Sequence, residues 1–163
     1  MAGAAQPTLK SNSDRSALRD VVHRYAAGVD DRQFDSVSAL FTPDAELLLP
    51  EPPDSLNPVR RHDGRNAIRA AIATVAAVLR TEHATVGEVY DAGSRPGIAH
   101  GRITCVAHHW AQRADDFTDV VWHLRYDDEY QLTGEGWRFR RRALTINAIE
   151  TRPVRLVRPD DHG

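Results

Sequence analysis

Cysteine is almost absent from this chain of 163 residues, since Cys105 is the only one. A single cysteine excludes a disulfide framework and a metal centre built from several thiolates. No apolar run approaches the length of a membrane span, and residues 1–13 lack the basic segment and apolar core of a secretory signal. We therefore expect a cytoplasmic protein with no membrane partner.

A strong excess of charge of either sign is also missing, because the formal net charge is −2. This balance argues against a nucleic-acid partner. Hydrophobic residues make up 41% and charged residues 27% of the chain, which is typical of a globular domain with its own core. The unusual feature is a set of eight histidines, whose side chains titrate near neutral pH.

The first half of the chain predicts three helices. Apolar residues at helical spacing, from Leu18 to Val29, predict a first helix that begins near Asp14. A short second helix is predicted over 32–40, and the clearest helix covers 63–80. Between the last two, AELLL predicts a short strand after a turn at Pro43, whereas the proline-rich PEPPDSLNP predicts a surface loop.

The second half predicts four extended segments, at 81–90, 98–112, 119–132 and 137–149. Helices followed by a run of antiparallel strands indicate an α+β domain. We expect a cone-shaped α+β barrel, in which three N-terminal helices pack on a curved, mostly antiparallel sheet that encloses a pocket. The predicted divisions are a flexible N-terminus at 1–13, one domain at 14–150 and a polar tail at 151–163.

Two adjacent histidines, His108 and His109, lie in the predicted strand CVAHHWA. Neighbouring side chains of a strand point to opposite faces of the sheet. The face that contains Cys105 and Ala107 is small and apolar, as the lining of a cavity should be. Alternation therefore predicts that His109 points inward and His108 outward, unless a β-bulge intervenes.

Two further residues could act with His109 in one cavity. His83 begins the preceding strand, and Asp30 follows the first helix; an aspartate can fix the tautomer of a histidine and raise its basicity. Structural roles compete with this interpretation, because a buried histidine is commonly a core residue and Asp30 could cap a helix. The candidates lack the HxH or HxxxH spacing of metal ligands, so we expect no metal.

Aromatic and basic residues also have ordinary structural interpretations. Tyr25 lies on the apolar face of the first helix, and Trp122 and Tyr126 have the spacing of packing residues in a strand. The alternate arginines of RFRRR, at 138–142, are expected to form a solvated or salt-bridged outer face of a strand.

The order of short motifs resembles the SnoaL-like family of the nuclear-transport-factor-2-like superfamily. The motifs are RYAAGVDDRQFDSVSALFTPDAEL, GRNAI, RTEHATVGEVY, GRITCVAHHWA and GWRFRRRALT, and the resemblance covers about 14–150. The resemblance implies the cone-shaped fold. In its site residues, the chain resembles scytalone dehydratase and, more loosely, bile-acid dehydratases.

This resemblance implies catalytic roles for Asp30, His83 and His109, and the bile-acid enzymes imply a role for Tyr25. Other polar positions of those families are replaced here by Val29, Leu47, Leu48 and Ala107. A different substrate is therefore expected, and Tyr126 could replace a missing polar contact.

The expected function is that of a cofactor-independent lyase or isomerase acting on a small cyclic or polyketide-like hydroxy-carbonyl compound. His83, oriented by Asp30, would be the base, and His109 would polarise the carbonyl or protonate the leaving hydroxyl. The expected substrate-binding residues are Tyr25, Tyr126, Trp122 and Cys105. The alternatives are a non-catalytic binding protein, a polyketide cyclase or an epoxide hydrolase.

Self-association is also expected, as a homodimer or a larger homo-oligomer. The long strands carry apolar residues toward both faces, such as Val120 with Val121 and Cys105 with Val106. Only one face can line the cone, so the other face is expected to meet a second copy.

Overall fold

The computed structural model describes Leu9 and residues 12–159. The helices are α1 (Asn12–Asp30), α2 (Phe34–Ser38) and α3 (Gly64–Ala73), and a 3₁₀ turn (Thr74–Ala77) follows α3. The strands are β1 (Phe41–Glu51), β2 (Ser55–Asp63), β3 (Arg80–Ala92), β4 (Ile98–Arg113), β5 (Asp116–Thr133) and β6 (Gly136–Val154). Among the described residues, no helix is long and apolar enough to cross a membrane.

All six strands form one sheet, in the order β2-β1-β6-β5-β4-β3. Four of the five pairings are antiparallel, and β1 runs parallel to β6. Helix α1 packs against β3 and β6, and α3 packs against β1. The predicted α+β fold with helices on a mostly antiparallel sheet is confirmed. The sheet itself is open, with β2 and β3 as its edges, and is not a closed barrel.

The hydrophobic core lies between the helices and one face of the sheet. Leu18, Val22 and Val29 supply the buried side of α1, and each is at most 2% exposed. Phe41 of β1 and Phe139 of β6 are completely buried beside them, with ring centroids 5.0 Å apart. The apolar pattern that predicted α1 therefore corresponds to its packing face.

The proline-rich segment is partly a strand, which corrects the loop prediction for PEPPDSLNP. Strand β2 begins at Ser55 and includes Pro58. A proline is tolerated here because β2 is an edge strand, whose outer amides need no partner in the sheet. The predicted turn at Pro43 is also wrong, since Pro43 lies within β1, where the pairing with β6 shifts register between Phe41 and Glu46.

Three predicted boundaries also differ from the structure. The third helix ends at Ala73 rather than near residue 80, and β6 continues to Val154, past the predicted domain end at 150. Helix α1 begins at Asn12, and Leu9 packs against the core, so both fall within the segment predicted to be flexible. The rest of that segment, residues 1–8, 10 and 11, and residues 160–163 of the predicted tail lie outside the described residues.

A bulge in β6 turns one arginine into the interior. Tyr130 pairs with Phe139 and Glu129 pairs with Arg141, so Arg140 is an extra residue on β6. Beyond a bulge, the alternation of side chains reverses. As a result Arg142 is buried at 1% exposure, which contradicts the prediction that the arginines of RFRRR form an outer face.

Candidate active site

A cavity of about 290 Å³ lies between the helices and the buried face of the sheet. Its histidine and aromatic lining residues are Tyr25 of α1, His83 of β3, His109 of β4, and Trp122 and Tyr126 of β5. The remaining lining residues are Val29, Leu49, Pro50, Ala71, Ile72, Thr74, Val75, Val78, Leu124 and Leu144. Among these described lining residues, none is lysine, arginine, aspartate or glutamate, so the cavity suits an uncharged and largely apolar ligand.

Asp30, the last residue of α1, binds His83 through both carboxylate oxygens. The Nδ1–H of His83 donates to Oδ1 at 2.7 Å, and the backbone N–H of His83 donates to Oδ2 at 2.9 Å. Because an ionised carboxylate only accepts, Nδ1 must carry the proton. In the neutral tautomer with the proton on Nδ1, the Nε2 atom of His83 carries a lone pair that can accept a proton or a hydrogen bond from a ligand. Asp30 does not point to solvent as a simple helix cap.

A second set of contacts fixes Asp30 itself. The Thr81 hydroxyl donates to Asp30 Oδ1 at 2.9 Å, and the Arg32 guanidinium donates to the Thr81 oxygen at 3.2 Å. Arg32 also donates to the carbonyl of Val78 at 3.1 Å. Arg32 has a φ of 58°, a left-handed conformation, and lies in the turn between α1 and α2. These contacts hold the carboxylate and the imidazole in one geometry.

His109 lies beside His83 on the neighbouring strand β4, with ring centroids 6.2 Å apart in an edge-to-face arrangement. Its Nδ1–H donates to the carbonyl of Val120 at 3.0 Å, and its ring packs against Trp122 at a centroid distance of 4.6 Å. Burial lowers the pKa of His109, which favours the neutral ring. Since a carbonyl only accepts, the Nε2 of neutral His109 carries a lone pair, not a proton.

His108 points to the other face of the sheet, as strand alternation predicts. Its Nδ1 lies 2.8 Å from Asp119 Oδ2, and its ring stacks on Trp110. His108 is not among the residues that line the cavity. No bulge interrupts the pairing of β4 with β5, so each β4 residue keeps the face that alternation gives it.

Tyr25 and Tyr126 place two phenols against the cavity, with ring centroids 6.0 Å apart. Burial raises the pKa of both hydroxyls, which therefore stay protonated. Neither hydroxyl makes a hydrogen bond to another residue in the part of the chain that the structure describes. Both are available as donors to a ligand.

The sequence did not reveal the charged pair behind these tyrosines. The Arg142 guanidinium lies 3.7 Å from the ring centroid of Tyr126 and 4.2 Å from that of Tyr25. Arg142 Nε lies 3.1 Å from Asp128 Oδ1, and both side chains are at most 1% exposed. Burial raises the pKa of Asp128 to about 6. This placement follows only from the register of β6 against β5. Alternation without the bulge would put the Arg142 side chain on the opposite face of the sheet.

Cys105 differs from the other predicted substrate-binding residues. Trp122, Tyr25 and Tyr126 line the cavity, whereas Cys105 is buried in the core and is not a lining residue. Burial raises the pKa of its thiol to about 12, so Cys105 is a packing residue rather than a nucleophile or a direct contact. The prediction of Cys105 as a substrate contact is wrong, since its side chain points inward but packs against other core side chains and does not line the cavity.

Within the described residues, no three histidine, cysteine or acidic side chains are grouped as metal ligands usually are. The arrangement instead combines two basic imidazole nitrogens with two phenol donors around an apolar space. Such a site can move a proton between a bound ligand and the protein.

The sequence model of the SnoaL-like domain matches residues 10–143. The chain belongs to the SnoaL-like domain family. A search of curated protein sequences finds no significant match.

Solved structures of other proteins share the fold of this SnoaL-like chain. One of them is a protein provisionally named scytalone dehydratase, from Novosphingobium aromaticivorans. It is 19% identical, with a TM-score of 0.72, and the match covers 93% of this chain and 95% of that one. A provisionally named aromatic ring hydroxylase from the same organism is 22% identical, with a TM-score of 0.72 over 88% and 95%. A hexachlorocyclohexane dehydrochlorinase from Novosphingobium barchaimii is 16% identical, with a TM-score of 0.70 over 90% and 96%.

Proposed function

We propose that this SnoaL-like protein is a cofactor-independent lyase or isomerase of the dehydratase type. Its substrate is an uncharged cyclic compound with a hydroxyl group β to a carbonyl group. The observation that carries the proposal is the Asp30–His83 pair, because His83 lines an apolar cavity next to His109 and has a second imidazole nitrogen that Asp30 does not bind.

His83 is the base of the proposed reaction. Its Nε2 removes a proton from the carbon next to the substrate carbonyl, and the resulting imidazolium is stabilised by the carboxylate of Asp30. Fixing the imidazole before the reaction avoids the cost of reorienting it during proton transfer. The contacts of Asp30 with Thr81 and with the backbone of His83 serve this purpose.

Tyr25 and Tyr126 are the donors for the substrate carbonyl. Negative charge develops on that oxygen as the proton leaves, and a phenol hydroxyl can stabilise it by a hydrogen bond. The positive charge of Arg142 against both phenol rings favours this charge at the hydroxyl end. The buried and apolar surroundings strengthen both interactions.

We propose a narrower role for His109 than the roles expected from the sequence. Neutral His109 has no proton on Nε2, so it cannot be the first proton donor to a leaving hydroxyl. We assign it instead to accepting the hydrogen bond of that hydroxyl and so holding it beside His83. The C–O bond then breaks, the electron pair of the enolate forms the C=C bond, and the imidazolium of His83 returns its proton to the leaving hydroxide as water.

The names of two structural neighbours support this reaction class, since one denotes the loss of water and the other the loss of hydrogen chloride. The fold is shared, and the proposal rests on the site.

A screen of cyclic β-hydroxy ketones tests the proposal. Loss of water forms a conjugated enone, whose ultraviolet absorption follows the reaction directly. We expect turnover by the wild type that is lost in His83→Ala and retained in His100→Ala, because His100 is an exposed histidine of the same strand as His109. Tight binding of these ketones without turnover would instead indicate a binding protein.

A further inference from the structure

The two adjacent histidines of β4 are bonded to two adjacent residues of β5. His109 donates to the Val120 carbonyl on the cavity side, at 3.0 Å. On the opposite face, His108 Nδ1 lies 2.8 Å from the carboxylate of Asp119. The side chain of Asp119 and the carbonyl that fixes His109 are therefore neighbours along one strand.

Asp119 is an unusual residue for the outer face of a sheet. It is 2% exposed, although Arg152, which lies 3.3 Å from its Oδ2, has a half-exposed side chain. Its other oxygen, Oδ1, is buried and has no hydrogen-bond partner among the described residues. A buried carboxylate with one unpaired oxygen lowers the stability of the fold. We therefore expect Asp119 to have a function that compensates for this cost.

We propose that Asp119 is a positioning residue for His109 and acts from the face of the sheet opposite the cavity. Its bond to His108 fixes the backbone that presents the Val120 carbonyl, and its negative charge stabilises a positive charge on the His109 ring. The consequence for catalysis rests on the proposed function, but the effect on the imidazole does not.

The groups around His109 set the sign of this effect. Burial and the neighbouring His83 lower the pKa of His109, whereas the Val120 carbonyl, Asp119 and Asp30 raise it. Asp30 lies on the cavity side with His83, and Asp119 lies on the outer side. The imidazole is thus placed between two carboxylates, and removing either one should make protonation harder.

Nuclear magnetic resonance of the His109 ring nitrogens tests the proposal without any substrate. In Asp119→Asn the side chain keeps its size and an oxygen for His108 but loses its charge. We expect the midpoint of the His109 titration to fall by on the order of half a pH unit to one unit. Arg152→Gln should move the midpoint upward, because it removes a positive charge beside Asp119.

Asp127→Asn is the matched control, since it removes a half-exposed carboxylate from the same strand and should leave the His109 titration unchanged. Unchanged His109 titrations in both folded variants, Asp119→Asn and Arg152→Gln, would overturn the proposal. If only Arg152→Gln folds, its upward shift supports the proposal and an unchanged midpoint overturns it. A shifted titration in a protein that dehydrates no tested ketone would contradict the proposed function but leave this inference standing.

Discussion

The two faces of the sheet carry two histidine–aspartate pairs of nearly the same geometry. His83 Nδ1 lies 2.7 Å from Asp30, and His108 Nδ1 lies 2.8 Å from Asp119. Of these two histidines, only His83 is among the described residues that line the cavity with His109, Tyr25 and Tyr126. The comparison shows that a histidine–aspartate pair is not a catalytic site by itself. Its function depends on what the second imidazole nitrogen can reach.

The largest expected difference between the faces is in turnover. His83→Ala removes the base from the cavity and should lower kcat by about 10²–10⁴-fold. His108→Ala removes the corresponding ring on the outer face and should lower kcat by less than about tenfold, since the ring does not line the cavity. Steady-state rates on a ketone from the screen, with circular dichroism as the check on folding, measure both. Equal losses in the two variants would refute the distinction.

The free energy of unfolding should also distinguish the two faces, because each face has an arginine that pairs with a buried aspartate. Arg142→Met leaves Asp128 buried without its cation and should lower the free energy of unfolding by about 3–5 kcal/mol. Arg152→Met removes a half-exposed partner of Asp119 and should cost about 1 kcal/mol or less. Urea denaturation at pH 7 compares them. A loss for Arg142→Met no greater than that for Arg152→Met would show that the buried pair is not a major contact.

Sequence reasoning succeeded where one periodicity was uninterrupted. Strand β4 pairs regularly with β5, so alternation placed His109 in the cavity and His108 outside. Cys105 shows the limit of the same argument. Alternation predicts the face to which a side chain points, but it does not predict whether that side chain reaches the cavity or packs in the core. The apolar spacing of α1 likewise predicted Tyr25 on the buried face.

The missed features depend on contacts between distant segments. The bulge at Arg140 appears only in the pairing of β5 with β6, and it alone brings Arg142 under the tyrosines. Strand β2 was missed because its prolines argue against a central strand, while its edge position tolerates them. The bond between Asp119 and His108 joins neighbouring strands, and neither residue signals it alone.

Substitutions of the two aspartates, Asp30 and Asp119, should differ less in their effect on kcat than substitutions of the two histidines. Asp30→Asn keeps the shape of the pair but removes the charge that stabilises the His83 imidazolium, so kcat should fall by about tenfold to a hundredfold. Asp119→Asn acts only through His109 and should lower kcat by about threefold, with little change in KM. Initial rates over a range of substrate concentrations separate the two constants. A larger loss for Asp119→Asn than for Asp30→Asn would reverse the proposed order of importance.

The smallest expected effect is on the pH dependence of stability. Burial holds the pKa of His109 below the value of 6.5 that it has in an unfolded chain. The native state therefore binds fewer protons than the unfolded state, and this contribution to stability is complete above pH 6.5 and is lost as the pH falls through the lowered pKa. His109→Gln lacks the titrating ring, so its stability should fall less steeply than that of the wild type on acidification from pH 7. Urea midpoints at half-unit steps of pH measure the two slopes, with His100→Gln as an exposed control on the same strand. Parallel curves for wild type and His109→Gln would mean that the cavity does not oppose protonation of His109, and the assignment of its Nε2 as a hydrogen-bond acceptor would then fail.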